Sequence, residues 1–200
     1  MTASAEPSRT EVTKQRILES ATKAFAERGF HGTSTRDITT AAGTSSAALY
    51  VHHKSKEELL FLISKAGHET TLALMLEGRG SSGDPAEQLH TVVRDFIADH
   101  ARNHTRARIV NYEMAALDPE HLEEITALRH RIDVELIDLI AAGIKAGTFD
   151  IPDPRIAASA ILSLGIDLAR WFSDDFRLSP EELGEEYAEL ALRIVRARGH

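Results

Sequence analysis

Residues 29–57 read GFHGTSTRDITTAAGTSSAALYVHHKSKE. Gly29 sits where a preceding helix should stop. Ser34 with Asp37 three residues later has the capping-box pattern: the serine oxygen accepts a backbone N–H and the carboxylate reaches back to the cap, which predicts a short helix over 35–42. Gly43 breaks that helix, and Ser45 or Ser46 caps a second short one through Ala47, Ala48, Leu49 and Tyr50. Ser55 followed by Glu58 repeats the pattern and opens a long helix. Upstream, Val12, Ile17, Leu18, Ala21, Ala24 and Phe25 recur at helical spacing from Thr10 onward, so a longer helix precedes the pair.

Two short helices joined by a glycine turn, with a helix before them able to pack across both, form a helix-turn-helix, which lays its second helix in the DNA major groove. The residue types suit that role. Ile38, Ala42 and Leu49 can fuse the helices into one unit. Thr33, Ser34, Thr44, Ser45, Ser46 and Tyr50 offer short hydrogen-bonding groups for phosphates and base edges, and Arg36, Lys54 and Lys56 add positive charge. The same pattern also describes a helical corner whose caps are satisfied internally and which never meets DNA. Charge separates along the chain: residues 1–56 hold 8 Lys and Arg against 5 Asp and Glu, net +3, whereas residues 57–200 hold 15 against 26, net −11. A basic head on an acidic body is compatible with a head that binds a polyanion and a body that stays off it.

The 200 residues are 42% hydrophobic and 27% charged, enough apolar surface for a buried core and too short a chain for a large multidomain enzyme. Cysteine is absent, which removes thiolate catalysis, disulfides and cysteine-ligated metals and suits a reducing compartment. The longest nearly unbroken apolar stretch, residues 156–166, is about half of the ~20 residues that span a bilayer, and the polar N-terminus has no secretory apolar region. A cytoplasmic protein with no membrane partner is expected. The fold class read from this pattern is all-α: a disordered arm over 1–9, a three-helix helix-turn-helix domain over 10–56 and a helical ligand-binding and dimerisation domain over 57–200. Within the body, a long helix through Leu59 and Met75 ends before a loop at 78–84, Pro85 opens the next, and a polar connection is expected over 102–106. Ile109, Tyr112 and Ala116 mark a further helix, Asp118-Pro119 opens the longest, and Gly147 closes it. Residues 155–173 are apolar nearly all round, and Ser179-Pro180 opens the last helix. Packing these last two helices against a twofold copy would bury the surplus in a four-helix interface.

The run from Gly29 to Ile38, the turn Ala42-Gly43-Thr44-Ser45 and the segment Leu49-Tyr50-Val51-His52-His53-Lys54-Ser55-Lys56-Glu57 resemble the N-terminal domain of TetR/AcrR-family transcriptional regulators. That resemblance covers residues 10–60, and the helical remainder is similar to the family's ligand-binding domain. It implies a homodimer, most simply a repressor, that binds a palindromic double-stranded operator and releases it when a small molecule enters the body. By motif match Thr33, Ser34, Ser45, Ser46, Ala48, Tyr50, Lys54 and Lys56 inherit DNA-contact roles. Four positions depart from the pattern: Thr39 stands in place of alanine, Thr44 of valine or isoleucine, Ala47 of glycine and His53 of phenylalanine. His53 is then either a core histidine in place of that ring or a group turned outward to a phosphate.

In the body, residues 112–117, Leu128-Arg129-His130-Arg131, Asp153-Pro154-Arg155, Trp171-Phe172 and Ser179-Pro180-Glu181-Glu182 are similar to a branch of the family that regulates fatty-acid and steroid catabolism in actinobacteria. That branch responds to acyl-CoA thioesters, which implies a small hydrophobic effector with an acyl-CoA or fatty-acid-like compound as candidate. Such pockets are mostly apolar with a few polar groups fixing orientation. The polar candidates are His100, Asn111, Arg129 and Asp167; the apolar ones are Phe61, Met75, Phe96, Tyr112, Met114 and Trp171. Core packing, or an Asp167–Arg170 pair, accounts for any one of them equally well. His100 and His104 have a spacing that could share a metal, but His104 falls in the expected polar connection, where solvated histidines are the simpler reading. No nucleophile elbow, P-loop, Rossmann glycine run or HExxH pair is present, so no cofactor, metal or catalytic residue is assigned. The rival from another class is a small-molecule binding protein whose helical corner is only structural.

Overall fold

Serine and aspartate caps set the helix starts in the structure, a computed structural model that describes residues 8–198. Ser8 with Glu11, Ser34 with Asp37 and Ser179 with Glu182 make complete capping boxes, and Ser45 and Ser55 each accept the N–H of the residue three further on. Asp84 and Asp153 cap helices that open on Pro85 and Pro154. The described residues are all-α, with no strand among them. In chain order the helices are α1 (Arg9–Arg28), α2 (Thr35–Ala41), α3 (Ser46–His52), α4 (Lys56–Arg79), α5 (Pro85–Arg102) and α6 (His104–Tyr112). A single 3-10 turn (Met114–Ala116) precedes α7 (Pro119–Ala146), α8 (Pro154–Trp171) and α9 (Pro180–Ile194).

Two boundaries differ from expectation. Residues 1–7 of the expected arm lie outside the described residues, but Ser8 and Arg9 belong to no arm: Ser8 is the cap and Arg9 the first residue of α1. The expected connection over 102–106 shrinks to Asn103. The Asn103 N–H donates to the Asp99 carbonyl, its side-chain amide donates to the Asp99 carboxylate at 2.8 Å, and its own carbonyl accepts from the Ala107 N–H. One residue thus ends α5 and starts α6, and burial of Ala107, Ile109 and Val110 holds the new helix in a polar stretch.

Apolar residues gather into two cores. The first joins α1, α2, α3 and the near end of α4 through Ile17, Phe25, Ile38, Leu49 and Leu60, and it is closed by Ile109 of α6 and Ile125 of α7. The second joins the far end of α4 to α5, α7, α8 and α9 through Met75, Leu89, Phe96, Leu136, Ile161 and Leu192. Full burial of each such side chain contributes about 1.5–3 kcal/mol. By length and composition α4 would also suit a membrane span, but its apolar side chains are largely buried in these cores.

α9 packs along α5 at a close approach made possible by Gly184, where a Cβ would stand 2.6 Å from the Arg94 carbonyl oxygen. A backbone atom cannot swing aside as a side chain can. Gly184→Ala is expected to cost about 1–3 kcal/mol through overpacking, read as a lower midpoint in a thermal melt; an unchanged melt would show that the two helices separate freely.

Candidate nucleic-acid interface and effector cavity

The head is locked by contacts that remove several expected DNA donors. Thr33 is buried, and its hydroxyl faces the carbonyls of Ala24 and Gly29 at 3.0 and 2.9 Å, clamping the end of α1. The Lys56 ammonium donates to the carbonyls of Phe30 and Thr33, each at 2.8 Å, and sits 4.0 Å from the centre of the Phe30 ring. Burial pulls its pKa down. These two residues hold the corner in shape: the Thr33 hydroxyl is committed to backbone carbonyls, and half-buried Lys56 spends two of its three N–H groups there. His53 takes the core alternative: it is 2% exposed, neither ring nitrogen has a hydrogen-bond partner, and the Glu58 carboxylate stands 4.0 Å away. Its pKa is lowered, chiefly by burial. The imidazole is packed inward, so the outward role is withdrawn.

The remaining candidates stay on the surface. Ser34 and Ser45 cap α2 and α3; the Ser34 hydroxyl is 2.7 Å from the Asp37 carboxylate, and the Ser45 oxygen accepts from the Ala48 N–H. Arg36, Ser46 and Lys54 are exposed, while Thr44 and Ala48 are half-buried. Helix α3 is anchored by one fully buried residue, Leu49, and its opposite side is bare. Tyr50 is 56% exposed and Val51 78% exposed, next to exposed Ser46 and Ala47. Positions 46, 47, 50 and 51 follow the spacing of one helix face. Sequence reasoning missed Ala47 and Val51, because an apolar residue in an amphipathic stretch reads as core; the sign was that Leu49 and Val51 cannot share one face of a helix.

The body holds a cavity of about 40 Å3 between α4, α5, α6, α7 and α8. Four expected residues line it: Phe96, His100, Asn111 and Arg129. Met114 stands behind Arg129, its sulfur 3.5 Å from the guanidinium. The other five lie elsewhere. Phe61 is stacked on His121 at a centroid distance of 3.8 Å, and Met75 is packed in the second core. Tyr112 is exposed beside a separate cleft near Gly29. Asp167 is exposed and paired with Arg170 at 3.2 Å, and Trp171 packs edge-on to Phe176 at the end of α8. The cavity adds His68 and Thr71, which the reading of the sequence passed over. Their signal was a polar stripe, Ser64, His68 and Thr71, on the buried side of an otherwise apolar helix. Nor is His100 solvated: it is 7% exposed, and His104 instead faces the Ala101 carbonyl at 3.0 Å. Among the described residues no group of three metal-ligating side chains occurs.

A three-helix head with a bare recognition-helix face on an all-helical body defines the class of helix-turn-helix transcriptional regulators. A family model described as "Bacterial regulatory proteins, tetR family" matches residues 17–63, and one described as "Tetracyclin repressor-like, C-terminal domain" matches residues 82–195. The chain is 36% identical to a bacterial regulatory protein in the tetR family from Rhodococcus RHA1, with a TM-score of 0.87 over 94% of this chain and 98% of that one. It is 27% identical over 189 residues to the HTH-type transcriptional repressor KstR2 of Mycobacterium tuberculosis strain H37Rv, covering 92% of each chain. The crystal structure of AibR in complex with isovaleryl coenzyme A and operator DNA is 26% identical, with a TM-score of 0.81 over 92% of this chain and 99% of that one. The chain belongs to the tetR family of bacterial regulatory proteins, and it is a transcriptional regulator rather than an enzyme.

Two outcomes follow from the buried histidines. His53→Phe removes two unpartnered buried nitrogens, so it is expected to raise stability by about 1 kcal/mol and to leave DNA binding intact, checked by thermal melting and gel retardation in parallel. His53, His68 and His100 all have pKa values held below 6.5 by burial, His100 at about 4. The unfolded chain, whose histidines titrate near 6.5, therefore binds more protons below that pH, and stability is full above it and lost as pH falls. His100 alone contributes a loss of about 2 kcal/mol by pH 5, so melting midpoints should drop steadily from pH 7 to pH 5; a flat profile would contradict neutral burial.

Proposed function

We propose that the chain is a homodimeric repressor that binds a palindromic operator through α3 and releases it when a small hydrophobic effector enters the body cavity. The observation that carries this reading is the bare face of α3. Ser46 and Tyr50 offer hydroxyls there, and Ala47 and Val51 offer the apolar contact that suits a thymine methyl. Arg36 and Lys54 flank it as phosphate contacts, with the caps of Ser34 and Ser45 placing the two short helices against the backbone. The division at residue 56 into a DNA-binding head, which starts with the Ser8 cap of α1, and an effector and dimerisation body from 57 onward belongs to the same reading, as does a cytoplasmic site of action, where the operator lies.

Dimerisation is assigned to α8 and α9. Ile156, Leu164 and Trp171 on α8 and Leu190 on α9 are large apolar residues left exposed, and covering them with a second copy gives the twofold that a palindrome requires. KstR2 is named a repressor, and the AibR complex holds an acyl-CoA and operator DNA; both support repression and an acyl-type effector here.

The cavity has two short routes to the head. Val110 and Asn111 of α6 line it, and the preceding residue Ile109 sits in the head core. Arg129 of α7 lines it, and two turns earlier the His121 ring is 2.8 Å from the Glu57 carboxylate, which also accepts the Asp118 N–H at 3.0 Å. Widening the cavity would push α6 and α7 outward and turn α4 from its first residues, changing the distance between the two α3 helices of the dimer. Those helices must reach successive major grooves about 34 Å apart.

Tyr50→Ala should leave folding and the dimer intact and weaken operator binding about tenfold, as expected for loss of one exposed contact worth roughly 1–3 kcal/mol, measured by fluorescence anisotropy with the chain's own upstream DNA. Affinity for random DNA equal to that for upstream DNA would overturn the regulator reading. Leu164→Glu should convert the proposed dimer to monomer, read by native mass spectrometry beside the wild-type chain, and an intact dimer would move the interface off α8.

A further inference from the structure

The cavity wall formed by α4 and α5 can only accept hydrogen bonds. The His68 Nδ1 lies 2.8 Å from the Ser64 carbonyl, the His100 Nδ1 lies 3.2 Å from the Phe96 carbonyl, and the Thr71 hydroxyl donates to the Gly67 carbonyl at 3.2 Å. A carbonyl cannot donate, so each imidazole carries its proton on Nδ1. Each of the three residues commits its donor to its own helix one turn back. His68 and His100 are 4% and 7% exposed, and no described residue partners either Nε2. What faces the cavity is therefore a set of lone pairs: two Nε2 atoms and the Thr71 oxygen. Burial keeps both rings neutral.

The facing wall on α7 is the opposite in kind. Arg129 can only donate. Its contacts are the Asn111 oxygen at 3.4 Å, which is long, and the Met114 sulfur at 3.5 Å, a weak acceptor, and it forms no salt bridge among the described residues. Asp133, one turn further on, lines the exposed side of the cavity and stands outside salt-bridge range of Arg129. Arg129 and His68 line the same cavity, and after burial the guanidinium charge is a further cause that lowers the His68 pKa. A free cation would meet Arg129, so the acceptor wall does not suit a metal ion. The remaining lining, Phe96, Val110, Ile132, Leu162 and Ile166, is apolar.

Building on the effector reading above, we propose that the cavity selects a hydroxylated acyl group, with its carbonyl or carboxylate oxygen accepting from Arg129 and a nearby hydroxyl donating its one proton to the Nε2 lone pair of either His68 or His100. An unsubstituted acyl chain has no donor to offer, so it would bury these acceptors against methylenes, an unsatisfied arrangement that costs more than the hydrogen bond itself yields. At about 40 Å3 the cavity admits little more than a water-sized group, so the chain enters by parting Phe96, Leu162 and Ile166 while the polar ends stay fixed.

The test is calorimetric titration of the full chain with a matched pair, 3-hydroxydecanoate and decanoate, each as the free acid and as the coenzyme A thioester. The hydroxylated member should bind about tenfold or more tightly in whichever form binds, and comparison of acid with thioester shows which source supplies the acyl group. Of His68→Phe and His100→Phe, each checked by thermal melting, the one that removes the acceptor should bring the ratio within the pair close to one, because decanoate no longer buries an unsatisfied lone pair and the hydroxylated acid loses its partner; a ratio unchanged in both folded variants overturns the assignment. If one variant fails to fold, the other and the wild-type ratio still decide. Equal binding of the two members by the wild-type chain overturns the hydroxyl selection and leaves the effector cavity standing. Binding of none of the four overturns both.

Discussion

Helix α4 is a single rod shared by two cores. Its first turns carry Leu59, Leu60 and Ile63 into the head, and its last turns carry Leu72 and Met75 into the body. Its start is tied twice over: Lys56 reaches back to the carbonyls of Phe30 and Thr33, and Glu57 takes hold of the beginning of α7 through Asp118 and His121. Because an α-helix keeps its internal hydrogen bonds, displacement at one end is carried to the other with little loss.

Between the two apolar ends of that rod lies its polar step, Ser64, Gly67, His68 and Thr71, all buried. Such residues weaken a helix that must hold a core; the donors of His68 and Thr71 turn to the helix's own carbonyls, while the buried Ser64 hydroxyl has no partner among the described residues. Gly67 lets α6 approach so closely that a Cβ there would stand 2.7 Å from a Val110 methyl. The step thus brings α6 against α4 at the level of the cavity, with Ile109 beside it in the head core. In this structure α4 and α6 are walls of the cavity and of the head core alike.

The head shows how cap chemistry and function divide the same residue types. Six short polar residues and three cations surround the helix-turn-helix, yet Thr33 and Lys56 close the corner while Ser46, Tyr50, Arg36 and Lys54 remain at the surface. Composition alone cannot sort them, because a threonine hydroxyl or a lysine ammonium serves a backbone carbonyl as readily as a phosphate. The sorting depends on where the end of α1 meets the start of α4. In the same way His53 occupies an aromatic position in the head core, and its neighbours decide that it stays neutral.

Local signals were enough for the all-α class, the helix starts and the helix-turn-helix itself. Capping boxes, proline at first turns and glycine at helix ends act within a few residues, so Ser34, Pro85, Pro119, Pro180 and Gly147 could be read directly. Four of the ten expected pocket residues meet at the cavity, and the rest do not, since membership depends on which helix faces cross rather than on residue type. His68 and Thr71 were hidden for that reason. The direction in which each polar group presents its lone pair or its proton is a property of side chains packed from five helices, α4 to α8. Sequence periodicity says which residues turn inward; only the packing of distant helices says what they meet there.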